Sequence, residues 1–150
     1  CFFGKTVLLT QNCFLKNLMP VSNLEIIKTI DFDFAKMELR SDGIITFLPL
    51  PQTVGLNKNQ IEEVYQAVIL LTENTLVPLY VDLPTHIRLN SDEKSLVVLK
   101  LSSCITACAI KEDNIMIRFV VHAFNHLYKP VIPIKMFKTK EEAIVWLKEF

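Results

Sequence analysis

Val77 to Ser102 reads VPLYVDLPTHIRLNSDEKSLVVLKLS. Three kinds of segment follow one another here. Val77–Leu83 is apolar except for Tyr80 and Asp82, the pattern of a central strand covered on both faces. Asp82 closes it, where a carboxylate can reach solvent or a loop amide. Pro84–Asn90 is a polar loop holding Thr85, His86 and Arg88. Asn90 with Glu93 has capping-box spacing, and Ser91 followed by two acids is an alternative cap. Either opens a helix whose positive end favours Asp92 and Glu93. Leu96–Leu101 fits strand or helix by period alone; caps and length favour a helix over about Ser91–Ser102.

Upstream, Ala35, Met37 and Leu39 alternate with Lys36, Glu38 and Arg40, a half-buried strand within Phe34–Arg40. Ser41-Asp42-Gly43 signals a tight turn. Ile44–Leu50, rich in β-branched and aromatic residues, completes a hairpin that Pro49 and Pro51 end. Asn57 and Gln60 have capping-box spacing, and Ile61, Val64, Val68 and Leu71 then share a helical face that Asn74 terminates. Residues 1–30 show no clear period. Leu24–Ile30 is open between a short helix and an extended arm. Met19 is a plausible natural start, so residues 1–30 are expected to be an arm outside a domain spanning 31–150.

Downstream, Cys104–Ile110 alternates as a strand and Lys111–Asn114 turns the chain. Ile115–Tyr128 has helical period with one narrow polar stripe: Arg118, His122, Asn125 and Lys129 fall within roughly 60° of one another. A helix so apolar elsewhere should be covered by the sheet and by a neighbour or partner. Val131–Phe137 reads as an edge strand, marked by Pro130 and Pro133. Thr139 and Glu142 then have capping-box spacing, and Ala143, Trp146, Leu147 and Phe150 form one apolar face. The order β-β-α-β-α-β-α-β-α implies a mixed sheet: an N-terminal hairpin, then parallel strands joined by right-handed helical crossovers.

Composition excludes several function classes. The 150 residues suit one domain with a sizeable core, at 51% hydrophobic and 21% charged. Sixteen basic residues balance sixteen acidic ones. No net field draws nucleic acid or an anionic membrane. With three glycines and no Gly-rich motif, a phosphate-cradling loop is not expected. No apolar run approaches the roughly 18 residues of a membrane span. Of the four cysteines, Cys104 and Cys108 would share a strand face roughly 13 Å apart at about 3.3 Å per residue, too far for a disulfide. Buried reduced thiols fit best, which suits the cytosol.

The chain resembles the SpoIIAA-like family, relatives of the STAS domain and, at longer range, of the lipid-binding CRAL-TRIO domain. The resemblance spans about Phe34–Phe150. It rests on Arg40-Ser41-Asp42-Gly43-Ile44, Tyr80-Val81-Asp82, Lys129-Pro130, Pro133, Phe137, Glu142-Ala143 and Trp146-Leu147. It implies a SpoIIAA/STAS-like mixed sheet in a small cytoplasmic bacterial protein without assigned catalysis. STAS relatives regulate by binding partner proteins, some through a phosphorylatable serine at the start of the helix after the third strand. That place falls here at Ser91. STAS domains commonly show Asp-Ser followed soon by Gly; this chain departs from that with Asn90-Ser91-Asp92-Glu93.

Candidate sites follow from the order of elements. In open α/β sheets, ligands sit beyond the carboxyl ends of parallel strands. Thr85, His86, Arg88, Asn90 and Ser91 follow the third strand, and Lys111 and Asn114 follow the fourth; together they form a candidate partner or ligand patch beside an ordinary solvated rim. His122 and His126 have i, i+4 spacing but lack the HExxH glutamate and an evident third ligand, so no metal site is expected. No nucleophile–base or carboxylate pair stands out, and neither catalysis nor a cofactor is expected. The reading is a non-catalytic protein-binding or regulatory module with an unidentified protein partner, homodimerisation being open. The alternative is a carrier of an apolar ligand or lipid, which calls for a dry pocket under Ile115–Tyr128.

Overall fold

A computed structural model describes residues 24–84, 86–128 and 131–150, the side chains of 120, 121 and 124–128 excepted. Its elements are β1 (Ile26–Asp31), β2 (Ala35–Arg40), β3 (Ile45–Pro49), α1 (Lys58–Thr72) and β4 (Val77–Asp82), then α2 (Ser91–Leu101), β5 (Ile105–Lys111), α3 (Ile115–Tyr128), β6 (Ile134–Phe137) and α4 (Lys140–Leu147). The six strands form one sheet in their sequence order, β1 to β6. β1, β2 and β3 are antiparallel neighbours; β3, β4, β5 and β6 run parallel. The expected mixed sheet is therefore present, with one strand more at its leading edge.

That added strand resolves the open reading of Leu24–Ile30. Ile26–Asp31 pairs with β2, so residues 26–30 of the expected arm belong to the sheet. Its side chains are mostly exposed, as befits an edge strand with a register shift between Ile26 and Lys28. An edge strand needs no periodic apolar face to be held, because its ladder hydrogen bonds come from the neighbour. The β2–β3 turn is as expected: Gly43 has φ +85, the left-handed region where glycine is unstrained. Gly43 N–H donates to Arg40 O at 3.0 Å, and Asp42 Oδ1 accepts from Ile44 N–H at 3.3 Å.

Each parallel connection steps to the next strand in the same direction, and right-handed crossovers then put α1, α2 and α3 on one face. The core of that face unites Met37, Ile45, Phe47, Val68, Leu71, Leu79, Ile105 and Cys108. α2 contributes no fully buried residue; it lies outside α1, tied by Lys100, whose Nζ is 2.8 Å from Glu62 Oε2 and sits over the Tyr65 ring.

α4 follows β6, the edge strand of the described sheet. It folds back beneath the opposite face, where Ala143, Ile144 and Leu147 pack on Ile44, Tyr80, Ala107 and Ala109. The alanines of β5 let the helix approach closely. Ile144 takes the core place expected of Trp146, which is half-buried between Phe137 and Phe150, while Phe150 is exposed. With eight residues, α4 reaches β4, β5 and β6. Among the described residues no helix covers the β1–β3 half of this face.

Candidate functional site

The carboxyl ends of β4 and β5 meet as the strand order requires. Lys111 Nζ lies 3.7 Å from Asp82 Oδ1, and Leu83 N–H donates to Lys111 O. The loop after β4 is stitched to the segment after β3: Arg88 N–H donates to Val54 O at 2.9 Å. A Cβ on Gly55 would come within 2.6 Å of Arg88 O, so only glycine permits this approach. A shallow cleft of about 310 Å³ opens there, lined by Leu48, Pro49, Pro51, Asp82, Pro84 and His86.

The expected patch is only partly assembled. His86 lines the cleft, and Lys111 reaches its Asp82 wall. Arg88, Asn90, Ser91 and Asn114 are exposed but line neither cleft described here, and Thr85 lies outside the described residues. Two of the side chains are committed elsewhere. Asn90 caps α2, accepting from Glu93 N–H at 2.8 Å while Glu93 accepts from Asn90 N–H. Asn114 Oδ1 accepts from Met116 N–H at 2.9 Å at the start of α3. The cap is thus Asn90, and Ser91 is the exposed first residue of α2. Asp92 and Glu93 share that first turn.

Next to this edge, Glu112 is buried at the end of β5. Its Oε1 accepts from Asn114 N–H at 2.9 Å, and its Oε2 has no partner among the described residues. α3 then begins with exposed apolar side chains: Ile115 at 70%, Met116 at 66% and Phe119 at 68%. His122 is exposed, and the His126 side chain lies outside the described residues. Among the described residues no three His, Cys, Asp or Glu side chains converge as a metal site would need. Cys104 and Cys108 are buried and free. Burial pushes their thiols up to about 11 and about 12 respectively, the wrong direction for a nucleophile.

A second cleft, of about 410 Å³, lies on the half of the sheet that α4 does not reach. Leu24, Ile26, Glu38, Arg40 and Thr46 line it from the sheet side, Lys140 and Glu141 from the start of α4. Arg40 is buried and paired to Asp42 through two bonds, at 2.9 and 3.2 Å. Glu38 is held by Lys36 at 2.8 Å, and that carboxylate in turn raises the lysine's pKa through its hydrogen bond and its charge. Thr46 and Tyr80 are 1% and 0% exposed, and their hydroxyls have no partner among the described residues. Burial, then the charges of Asp82, Glu141 and Asp113, pushes the Tyr80 phenol well above its ordinary value, so the ring keeps its proton.

Sequence reasoning missed this second group. Thr46 sits in an apolar strand and Tyr80 in a central one, where each passes for core. The available signal was alternation: Lys36, Glu38 and Arg40 put three charges on the face opposite Ala35, Met37 and Leu39.

Residues 37–150 match the model of a family described as a domain of unknown function, DUF7793. No curated protein matches the chain. Among solved structures it is similar to an uncharacterised protein from the DUF3478 family with a SpoIIAA-like fold, from Shewanella loihica PV-4. The two share 15% identity and superpose with a TM-score of 0.50, covering 86% of this chain and 98% of the other. The fold is SpoIIAA-like, as the sequence resemblance implies. Among the described residues no helix is long and apolar enough to cross a membrane.

Proposed function

The chain belongs to the DUF7793 family, and on that premise we propose that it is a non-catalytic binding module of the SpoIIAA/STAS-like type whose partner is another protein. The observation that carries this is the first turn of α3, where Ile115, Met116 and Phe119 all stand in solvent. Phe119 is four residues from Ile115 and three from Met116, so on the helix surface it neighbours both and joins them into one apolar knob. Such a cluster exposed beside polar groups is the usual anatomy of a protein contact. The polar groups here are Asp113 and Asn114, both exposed, which immediately precede the turn. The contact surface is thus centred on α3, with the Lys111–Asn114 part of the expected patch as its rim.

Ser91 is the place for a regulatory phosphate, and physics limits the gain. A phosphate would meet the positive end of α2, but Asp92 and Glu93 already occupy it. The carrier alternative calls for a cavity beneath α3. The two clefts among the described residues lie at the carboxyl edge of β4 and on the α4 side, and the α3 side chains of 120, 121 and 124–128 lie outside the described residues.

The test places a photo-crosslinking residue at Phe119, and separately at Ser91, in the full chain within its source cells. Mass spectrometry identifies each adduct. The reading expects a defined protein adduct from position 119 that Ile115→Ser abolishes. An adduct from position 91 alone, or none from 119, overturns it. A self-adduct at 119 replaces a foreign partner by a homodimer.

A further inference from the structure

The half of the α4 face that no described helix covers carries an inference independent of the α3 surface. One row of residues crosses the whole sheet at a single level: Thr29, Glu38, Thr46, Tyr80, Ala109 and Lys135, each the register partner of the next. The middle of such a row is the most enclosed part of a sheet, where polar atoms are normally hydrogen-bonded. Here it holds two adjacent hydroxyls, Thr46 and Tyr80, both buried and both without a partner among the described residues. Thr46 lies in the floor of the 410 Å³ cleft.

The charges around that floor are unequally committed. Arg40 is neutralised by Asp42 and Glu38 by Lys36. Lys140 has no carboxylate within ion-pair distance among the described residues; its Nζ stands 5.7 Å from the centre of the Tyr80 ring. It is also the first residue of α4, whose amino end is partially positive and whose cap, Thr139, accepts from Glu142 N–H. Glu141, beside it in the lining, has no cationic partner among the described residues either, so the positive bias at this end of the cleft is that of Lys140 and the helix terminus less one carboxylate, with the Thr46 hydroxyl beneath them. Two residues along β2, roughly 7 Å away at the rise of a strand, Arg40 partners Ile26, and there Ile26 and Leu24 give the cleft an apolar wall.

We infer that this cleft binds a small amphiphilic monocarboxylate. Its carboxylate sits against Lys140 Nζ and the Thr46 hydroxyl at the amino end of α4. Its short alkyl tail runs along Ile26 and Leu24. Glu38 and Glu141 face the same space and repel a second negative charge. The site therefore selects against dicarboxylates and phosphates. Arg40, spent on Asp42, shapes the floor without attracting an anion of its own.

Octanoate, below its micelle concentration, is the probe. It is titrated into the full chain while NMR follows the amide and methyl signals of Ile26, Thr46, Tyr80 and Lys140. Octanol supplies the tail without charge, octylamine the tail with the opposite charge, and inorganic phosphate the charge without a tail. The expected result is a saturable shift centred on those four residues. The octanoate affinity should fall at least tenfold in Lys140→Gln and clearly in the isosteric Thr46→Val, with melting temperatures at or above the parent's. Octanol, octylamine and phosphate should each bind at least tenfold more weakly. No saturable shift, equal affinity in Lys140→Gln, or phosphate binding as well as octanoate overturns the assignment.

Discussion

Thr46 and Tyr80 face each other across the β3–β4 ladder, and each buries a hydroxyl with no partner among the described residues. An unmatched buried polar group costs about 1–3 kcal/mol. Tyr80→Phe removes the phenol and keeps the ring that packs against α4. It should therefore raise stability by about 1 kcal/mol, read from the urea midpoint at constant slope. A drop of that size instead would show that the phenol is hydrogen-bonded in solution.

Asn90, and not Ser91, caps α2. Asn90→Ala should cost about 1 kcal/mol, within the 0.5–2 range for lost caps. Ser91→Ala should stay within about 0.5 kcal/mol, as an exposed change does. Equal losses would mean that the helix begins one residue later in solution.

The Arg40–Asp42 pair locks the β2–β3 turn in a nearly dry place, with side chains 5% and 10% exposed. Removing one partner strands the other, so Asp42→Ala should destabilise by about 3–5 kcal/mol. Arg40→Met with Asp42→Ala removes both charges and should recover most of that loss. Chemical denaturation of the two variants gives the comparison directly, and a double variant no better than the single one would refute it.

Leu147, fully buried, should cost about 2–5 kcal/mol as Leu147→Ala. Trp146 keeps one side in solvent between Phe137 and Phe150, so Trp146→Ala should cost less than Leu147→Ala. The reverse ranking in thermal melts would place the indole in the core after all.

The buried thiols set an alkaline limit. Cys104 and Cys108 move from 9.0 to about 11 and about 12 on folding, through burial. Above pH 9 the unfolded chain therefore releases protons that the folded chain retains. The unfolded state then binds fewer protons, so stability falls as pH rises through that window. Iodoacetamide at pH 8, followed by peptide mapping, should leave both residues unlabelled in the folded chain and label them once urea unfolds it. Rapid labelling of Cys108 in the native protein would contradict its burial.

Much of the architecture was written locally. Asn57, Asn90 and Thr139 cap helices where their spacing to Gln60, Glu93 and Glu142 says they should. The alternation in Ala35–Arg40 and the Asp42-Gly43 turn specify a hairpin, because a period of two and a left-handed glycine are properties of a few residues and their own backbone. Ile26–Asp31 is a strand for a different reason: β2 offers it a ladder, and nothing in its own pattern demands one. The same limit hid the rest. Periodicity tells which side chains of an element share a face; it does not tell which element will cover that face. α4 crosses to the far side of the sheet and stops over β4, and only that placement leaves Thr46 beneath an open cleft with Lys140 at its mouth. The apolar turn Ile115–Phe119 was visible as a helix that needed covering, but its standing in solvent follows from α3 meeting the sheet at the edge strand β6. The elements came from local chemistry, and the candidate sites came from long-range packing, which brings together residues that no short window of sequence contains.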